Sequence, residues 1–200
     1  MERPQVENRI AESLKTVQKG SVLFVDDFLD YGRPESVKKA LHRLKEKEIL
    51  VRLAHGIYLY PKVDDELGVL FPSTEEITRA IARRDKARII PTGILALNKL
   101  GLSAQVPMKV IYLTDGAARS IQVGKRTITF KKTSPKNLMV KGEISSLAIQ
   151  ALKTIGQKKV DKITIEKIQA ILKNEKIENI IYDAKLAPAW INNILMQTIR

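Results

Sequence analysis

The first apolar positions of the chain, Val6, Ile10, Leu14 and Val17, are spaced four, four and three apart and predict an amphipathic helix that stops at Gly20. Residues 21–25 form a β-rich run. Asp26 then suits the N-cap of a short helix over 27–31, ended by Gly32, with Phe28 and Leu29 turned inward. Pro34 fits the first turn of the next helix, where its missing N–H costs nothing, and it holds Arg33 extended so that a turn forms. In that helix Val37, Ala40, Leu41 and Leu44 fall at i, i+3, i+4 and i+7 and make one packing face. The opposite face collects Glu35, Lys38, Lys39, His42 and Arg43, with Glu46 a turn further on. Residues 51–54 and 57–60 are strand-like and are joined by His55-Gly56, a tight hairpin turn. Helix, turn, helix and hairpin in this order predict a winged helix-turn-helix.

Pro61 ends the second strand, residues 62–67 are polar enough for an interdomain linker, and the linker is expected over 63–72. Beyond it Ser73 and Glu76 have capping-box spacing, followed by Ile77, Ala80 and Ile81 on one helical face. Ile89-Ile90 predicts a strand, Thr92 the cap of a helix over 93–100, and Gly101 its end. Residues 110–113, 120–123 and 127–130 predict strands, the last two linked through Gly124-Lys125. Ile144, Leu147, Ala148, Ala151, Leu152 and Ile155 make a strong helical stripe closed by Gly156, and two or three more helices are expected over 164–199. The expected fold class is α+β: a winged helix-turn-helix domain over 1–62, a linker over 63–72, and over 73–200 a mixed α+β domain with a small sheet and a helical tail.

Charge narrows the partner. The 200 residues carry 35 Lys and Arg against 22 Asp and Glu, a net +13, which favours a polyanion. Residues 1–62 hold 12 basic and 9 acidic residues, so most of the excess lies further on. From 117 to 142 there is no acidic residue, whereas Arg119, Lys125, Arg126, Lys131 and Lys132 cluster in the predicted hairpin, with Lys136 and Lys141 beyond it. These residues are a candidate secondary nucleic-acid contact, although lysines on a strand edge also deter aggregation. No stretch has the roughly 18 consecutive apolar residues of a membrane span. The first ten residues carry Glu2, Arg3, Glu7 and Arg9 where an export signal needs an apolar run, and there is no cysteine. A cytoplasmic protein without membrane association is expected.

Catalytic signatures are weak. His42 and His55 are the only histidines and lack metal-ligand spacing, so no metal and no cofactor is expected. Gly20-Ser21 and Asp26-Asp27 faintly resemble a nucleotidyltransferase centre. That chemistry needs two carboxylates on one strand face two residues apart, whereas adjacent aspartates point to opposite faces. Ser103 and Asp115 have no histidine nearby, and no glycine-rich phosphate loop is present. Asp115 reads as a turn former.

Several runs resemble a known family: 27–32 (Asp-Phe-Leu-Asp-Tyr-Gly), 40–44 (Ala-Leu-His-Arg-Leu), 52–58 (Arg-Leu-Ala-His-Gly-Ile-Tyr), Pro91-Thr92-Gly93, 97–107 (Leu-Asn-Lys-Leu-Gly-Leu-Ser-Ala-Gln-Val-Pro) and 112–116 (Tyr-Leu-Thr-Asp-Gly). Together they resemble the AbiEi family of type IV antitoxins from abortive-infection toxin-antitoxin systems of phage defence. The resemblance implies a cytoplasmic, non-enzymatic transcriptional repressor whose winged helix binds double-stranded DNA at inverted repeats in its own promoter. It also implies a C-terminal domain that counters a nucleotidyltransferase-like toxin without a stable complex. On this view Lys38, Lys39, His42 and Arg43 enter the major groove, and Arg52 and His55 touch the flanking backbone or minor groove. A homodimer or two monomers would fill an inverted repeat equally well. The alternatives are an RNA- or tRNA-binding protein that uses the basic second domain, and a nucleotidyltransferase-like enzyme.

Overall fold

The computed structural model describes residues 6–199; Glu2 and Arg3, weighed above in the export segment, lie outside the described residues. The protein is mixed α+β with small sheets and several helices. It divides into two compact units, one running to Ala80 and taking in Gln122–Gly124, the other formed by Ile81–Ile121 and the chain from Lys125 onward.

In the first unit helix α1 (Val6–Leu14) buries Ile10 and Leu14 as expected, but the helix ends six residues before Gly20, and Val17 is only partly buried. Strand β1 (Val22–Phe24) leads into a 3₁₀ segment, Val25–Tyr31, rather than an α-helical turn. Phe24, not Asp26, holds the N-cap position, and the carboxylate of Asp27 three residues on accepts its N–H at 2.8 Å. Because the 3₁₀ repeat is three residues, Phe28 turns inward while Leu29 is left 41% exposed, which corrects its expected burial. Gly32 stands where a Cβ would come within 2.8 Å of the Val6 side chain, so the turn needs a residue without one.

Helix α2 (Pro34–Glu46) follows, with Pro34 at its start. Strands β2 (Val51–Ala54) and β3 (Ile57–Leu59) are antiparallel, and β1 adds to β3 to give the order β1-β3-β2. Gly56 takes φ 70° in the turn, and β2 is bulged between Arg52 and Ala54. The segment expected as a linker is instead a second hairpin, β4 (Lys62–Asp64) with β5 (Gly68–Leu70). It closes because Asp64 accepts the N–H groups of Glu66 and Leu67, both at 3.0 Å, in an Asx turn. Helix α3 (Thr74–Arg84) starts with the predicted capping box: Ser73 N–H donates to Glu76 at 2.6 Å and Glu76 N–H to Ser73 Oγ at 3.1 Å.

The chain beyond α3 forms a four-stranded sheet of order β6-β7-β9-β8, from β6 (Ile89–Thr92), β7 (Lys109–Thr114), β8 (Arg119–Val123) and β9 (Arg126–Lys132). β6 is antiparallel to β7, and β7 is parallel to β9. Thr92 does not cap α4 (Ile94–Lys99); its hydroxyl donates to Gln150 instead. Helix α5 (Glu143–Ile155) is buried at every position from Ser145 to Leu152, and α6 (Lys162–Leu172), α7 (Ile177–Ala184) and α8 (Ala189–Gln197) pack with it around Leu152, Ile168, Ile180 and Ile191.

A helix buried on all sides must also satisfy its first N–H groups away from water. Asp183, fully buried on α7, accepts Lys141 N–H at 2.8 Å, Gly142 N–H at 2.9 Å and the Ser145 hydroxyl. Glu175 accepts Ile144 N–H at 2.9 Å, and Gly142 lies so close that an added Cβ would collide with the Glu175 and Ser145 side chains. Burial pushes the Glu175 pKa up, but bonds from Asn179 and from the Lys176, Ile144 and Ser145 N–H groups outweigh it and hold the carboxyl below its ordinary 4.5. A depressed folded value means that the unfolded chain binds the proton more readily. The stability from Glu175 is thus present above the ordinary value and lost as pH falls through the folded one. Thermal unfolding from pH 7 down to pH 3 should show a smaller acid loss in Glu175→Gln than in the native chain.

Candidate nucleic-acid interface

The four apolar residues of α2, Val37, Ala40, Leu41 and Leu44, are each at most 3% exposed, and they seat the helix on α1 and the 3₁₀ segment. Burying that face fixes the other. Glu35, Lys38, Lys39, His42, Arg43 and Glu46 are all exposed. Lys38 and Lys39 make no ion pair or side-chain hydrogen bond among the described residues.

Arg43 is restrained. Its guanidinium lies 3.5 Å from Glu7 of α1, whose second oxygen takes Lys47 at 2.5 Å. Lys47, first, and then Arg43 hold the Glu7 carboxyl below its ordinary value, against the desolvation that raises it. Because both cations remain about 60% exposed, the pairs are screened and contribute at most about 1 kcal/mol each. What they supply is aim: Arg43 and Lys39 flank a cleft of about 250 Å³ between α1 and α2, also lined by Val6, Glu7, Ser36 and Ala40. Arg9 fixes the far side of this layer by donating to the Tyr31 carbonyl at 3.0 Å while lying over the Tyr31 ring.

On the hairpin, Arg52 and His55 are both exposed and touch each other. Arg52 Nη2 donates to His55 Nδ1 at 3.1 Å and Nε donates to the Ala54 carbonyl at 3.3 Å, so the bulge and Gly56 set both side chains at the tip. Since arginine can only donate, Nδ1 is the acceptor and the neutral ring carries its proton on Nε2.

The five basic residues of the second unit part company. Arg119 is half-buried, paired with Asp85 and lying 5.5 Å from the centre of the Phe130 ring, so its guanidinium is already engaged within the fold. Lys125, Arg126, Lys131 and Lys132 remain exposed. The structure adds Lys153, hidden in the sequence within the core stripe of α5. Its side chain is exposed, but partial desolvation along the stem, and then the charge of Lys136, push its pKa down, and it donates to Asn137 at 3.2 Å with no carboxylate partner among the described residues.

Other motif residues are internal ties. Asp115 accepts Arg88 N–H at 2.8 Å and Arg88 Nε at 2.9 Å, and these bonds hold its carboxyl below the usual range. Ser103 Oγ accepts Gln105 N–H, and the Ser103 carbonyl accepts from Asn98. Among the described residues no three His, Asp or Glu side chains are grouped to hold a metal ion. No helix among them is long and apolar enough to cross a membrane.

No curated protein matches the chain. Among solved structures it is similar to the RV2827C protein from Mycobacterium tuberculosis, at 12% identity and a TM-score of 0.47, over 97% of this chain and 82% of that one. A family model described as a family of unknown function, DUF6088, matches residues 9–180, and the chain belongs to that family.

Proposed function

We propose that this protein is a DNA-binding transcriptional regulator in which α1, the 3₁₀ segment, α2 and the β2–β3 hairpin act as a winged helix-turn-helix. The observation that carries the proposal is the division of α2, with its apolar side sealed against the unit and Lys38, Lys39, His42 and Arg43 all turned to solvent. A helix so oriented fits the major groove of B-DNA, about 12 Å wide, where lysine and arginine read guanine edges. Arg52 and His55, held together at the hairpin tip, are placed on the same account against phosphates or in the minor groove beside it.

The AbiEi-like motifs extend the proposal to an autorepressor and antitoxin that binds inverted repeats upstream of its own gene and opposes a nucleotidyltransferase-like toxin, without chemistry of its own. Asp27 is engaged in capping Phe24, which leaves no pair of free neighbouring carboxylates at 26–27 and favours binding over catalysis.

The test is a fluorescence-anisotropy titration of a duplex from the promoter region over a range of salt concentrations. Arg52→Ala should weaken specific and unrelated duplexes alike and reduce the salt slope by about 1, as expected for one lost phosphate contact. A variant that changes sequence preference and leaves the slope untouched would place Arg52 elsewhere. The exposed Lys125, Lys131 and Lys132 favour a second reading, RNA or tRNA binding by the second unit. Competition by tRNA that displaces the promoter duplex at equal concentration would select it.

A further inference from the structure

We propose that the β4–β5 hairpin is a self-association surface whose occupant is a second copy of this chain, paired antiparallel along β4 about a two-fold axis at Val63. The inference is independent of the DNA reading, since it uses none of the residues of α2 or the β2–β3 hairpin.

The hairpin is a sheet of two strands of three residues each, and among the described residues neither outer edge is paired with another strand. Such a ribbon is marginal in water, and its open edges are templates for another strand. Its apolar side chains are also uncovered: Val63 is 61%, Leu67 77% and Phe71 65% exposed. Val63 lies opposite Val69, so the two share a face, and Phe71 follows two residues after Val69. One side of the ribbon is therefore an exposed apolar strip.

Charge selects the occupant and the edge. If Val63 of one copy faces Val63 of another across an antiparallel β4–β4 seam, Lys62 of each falls opposite Asp64 of the other. A single lysine on an edge ordinarily deters pairing with an arbitrary strand. Here it is matched by symmetry, because in a two-fold interface each contact occurs twice. The β5 edge, Gly68-Val69-Leu70, carries no such pair and is less exposed than β4. Joining β4 to β4 yields a four-stranded sheet with the Val63, Val69 and Phe71 strips side by side. The contact is small, so the dimer forms and dissociates with concentration.

The absence of cysteine provides a clean test. Val63→Cys and Ile163→Cys, the latter similarly exposed on α6, are oxidised mildly in the full chain. Circular dichroism on both confirms that they are folded. Val63→Cys should give disulfide-linked dimer several-fold faster than Ile163→Cys. In sedimentation equilibrium the native chain should pass from monomer towards dimer between micromolar and millimolar concentration. Val63→Asp, which places two like charges on the axis, should stay monomeric. Equal cross-linking of the two cysteine variants, or a native chain that is monomeric throughout, would overturn the proposal.

Discussion

Replacing Lys39 and Arg43 together by alanine is expected to remove sequence-specific DNA binding while leaving the protein folded. Each residue projects from the exposed side of α2, where a base-edge contact discriminates by about 1–3 kcal/mol. Losing two such contacts corresponds to roughly 30-fold to 10⁴-fold in affinity for the preferred duplex. Affinity for unrelated duplexes should fall much less, because the remaining lysines still neutralise phosphate. The fold is spared because neither side chain enters the core, and the buried Glu7 keeps Lys47 as its partner when Arg43 is removed. The check is the ratio of specific to nonspecific affinity in the double variant, with its thermal unfolding measured alongside. An unchanged ratio would remove α2 from the interface.

The largest expected effect on stability is at Asp183. Alanine there leaves the Lys141 and Gly142 N–H groups and the Ser145 hydroxyl without their acceptor at the start of a helix buried along most of its length. Each orphaned buried donor costs about 1–3 kcal/mol, so a loss of roughly 3–5 kcal/mol is expected, a large share of the total stability of a domain. Asp183→Asn keeps one acceptor oxygen and should fall between the two. Denaturant unfolding reads this directly, and a midpoint for Asp183→Ala equal to that of the native chain would show that solvent replaces the carboxylate.

The helices with strong apolar repeats were legible in the sequence, because burial of a face at 3.6-residue spacing leaves little choice of register. Val37, Ala40, Leu41 and Leu44 in α2, and the α5 stripe closed by Gly156, are the clearest cases. Local hydrogen bonding was less legible. Asp26 and Asp27 are chemically identical neighbours, and only the 3₁₀ path decides that Asp27 reaches Phe24. The β4–β5 hairpin was concealed by the acidic run Asp64-Asp65-Glu66 at its turn, since what closes it is one aspartate side chain and Gly68 at φ 70°. Long-range pairing was not legible at all. Glu7 is 40 residues from Lys47, and Asp85 is 34 from Arg119, so nothing local could show that Arg43 is paired with α1 or that Arg119 has a carboxylate partner.

Whether α2 enters the major groove is read by affinity cleavage of a promoter duplex with an iron chelate tethered at Glu35→Cys, on the exposed first turn of α2, in a chain that has no other cysteine. Cuts are expected to be confined to a few nucleotides on the two strands bordering one major groove at each bound site. Diffuse cleavage from Glu35→Cys, with focused cleavage from the same chelate tethered at Lys132→Cys, would contradict this and place the nucleic acid on the second unit.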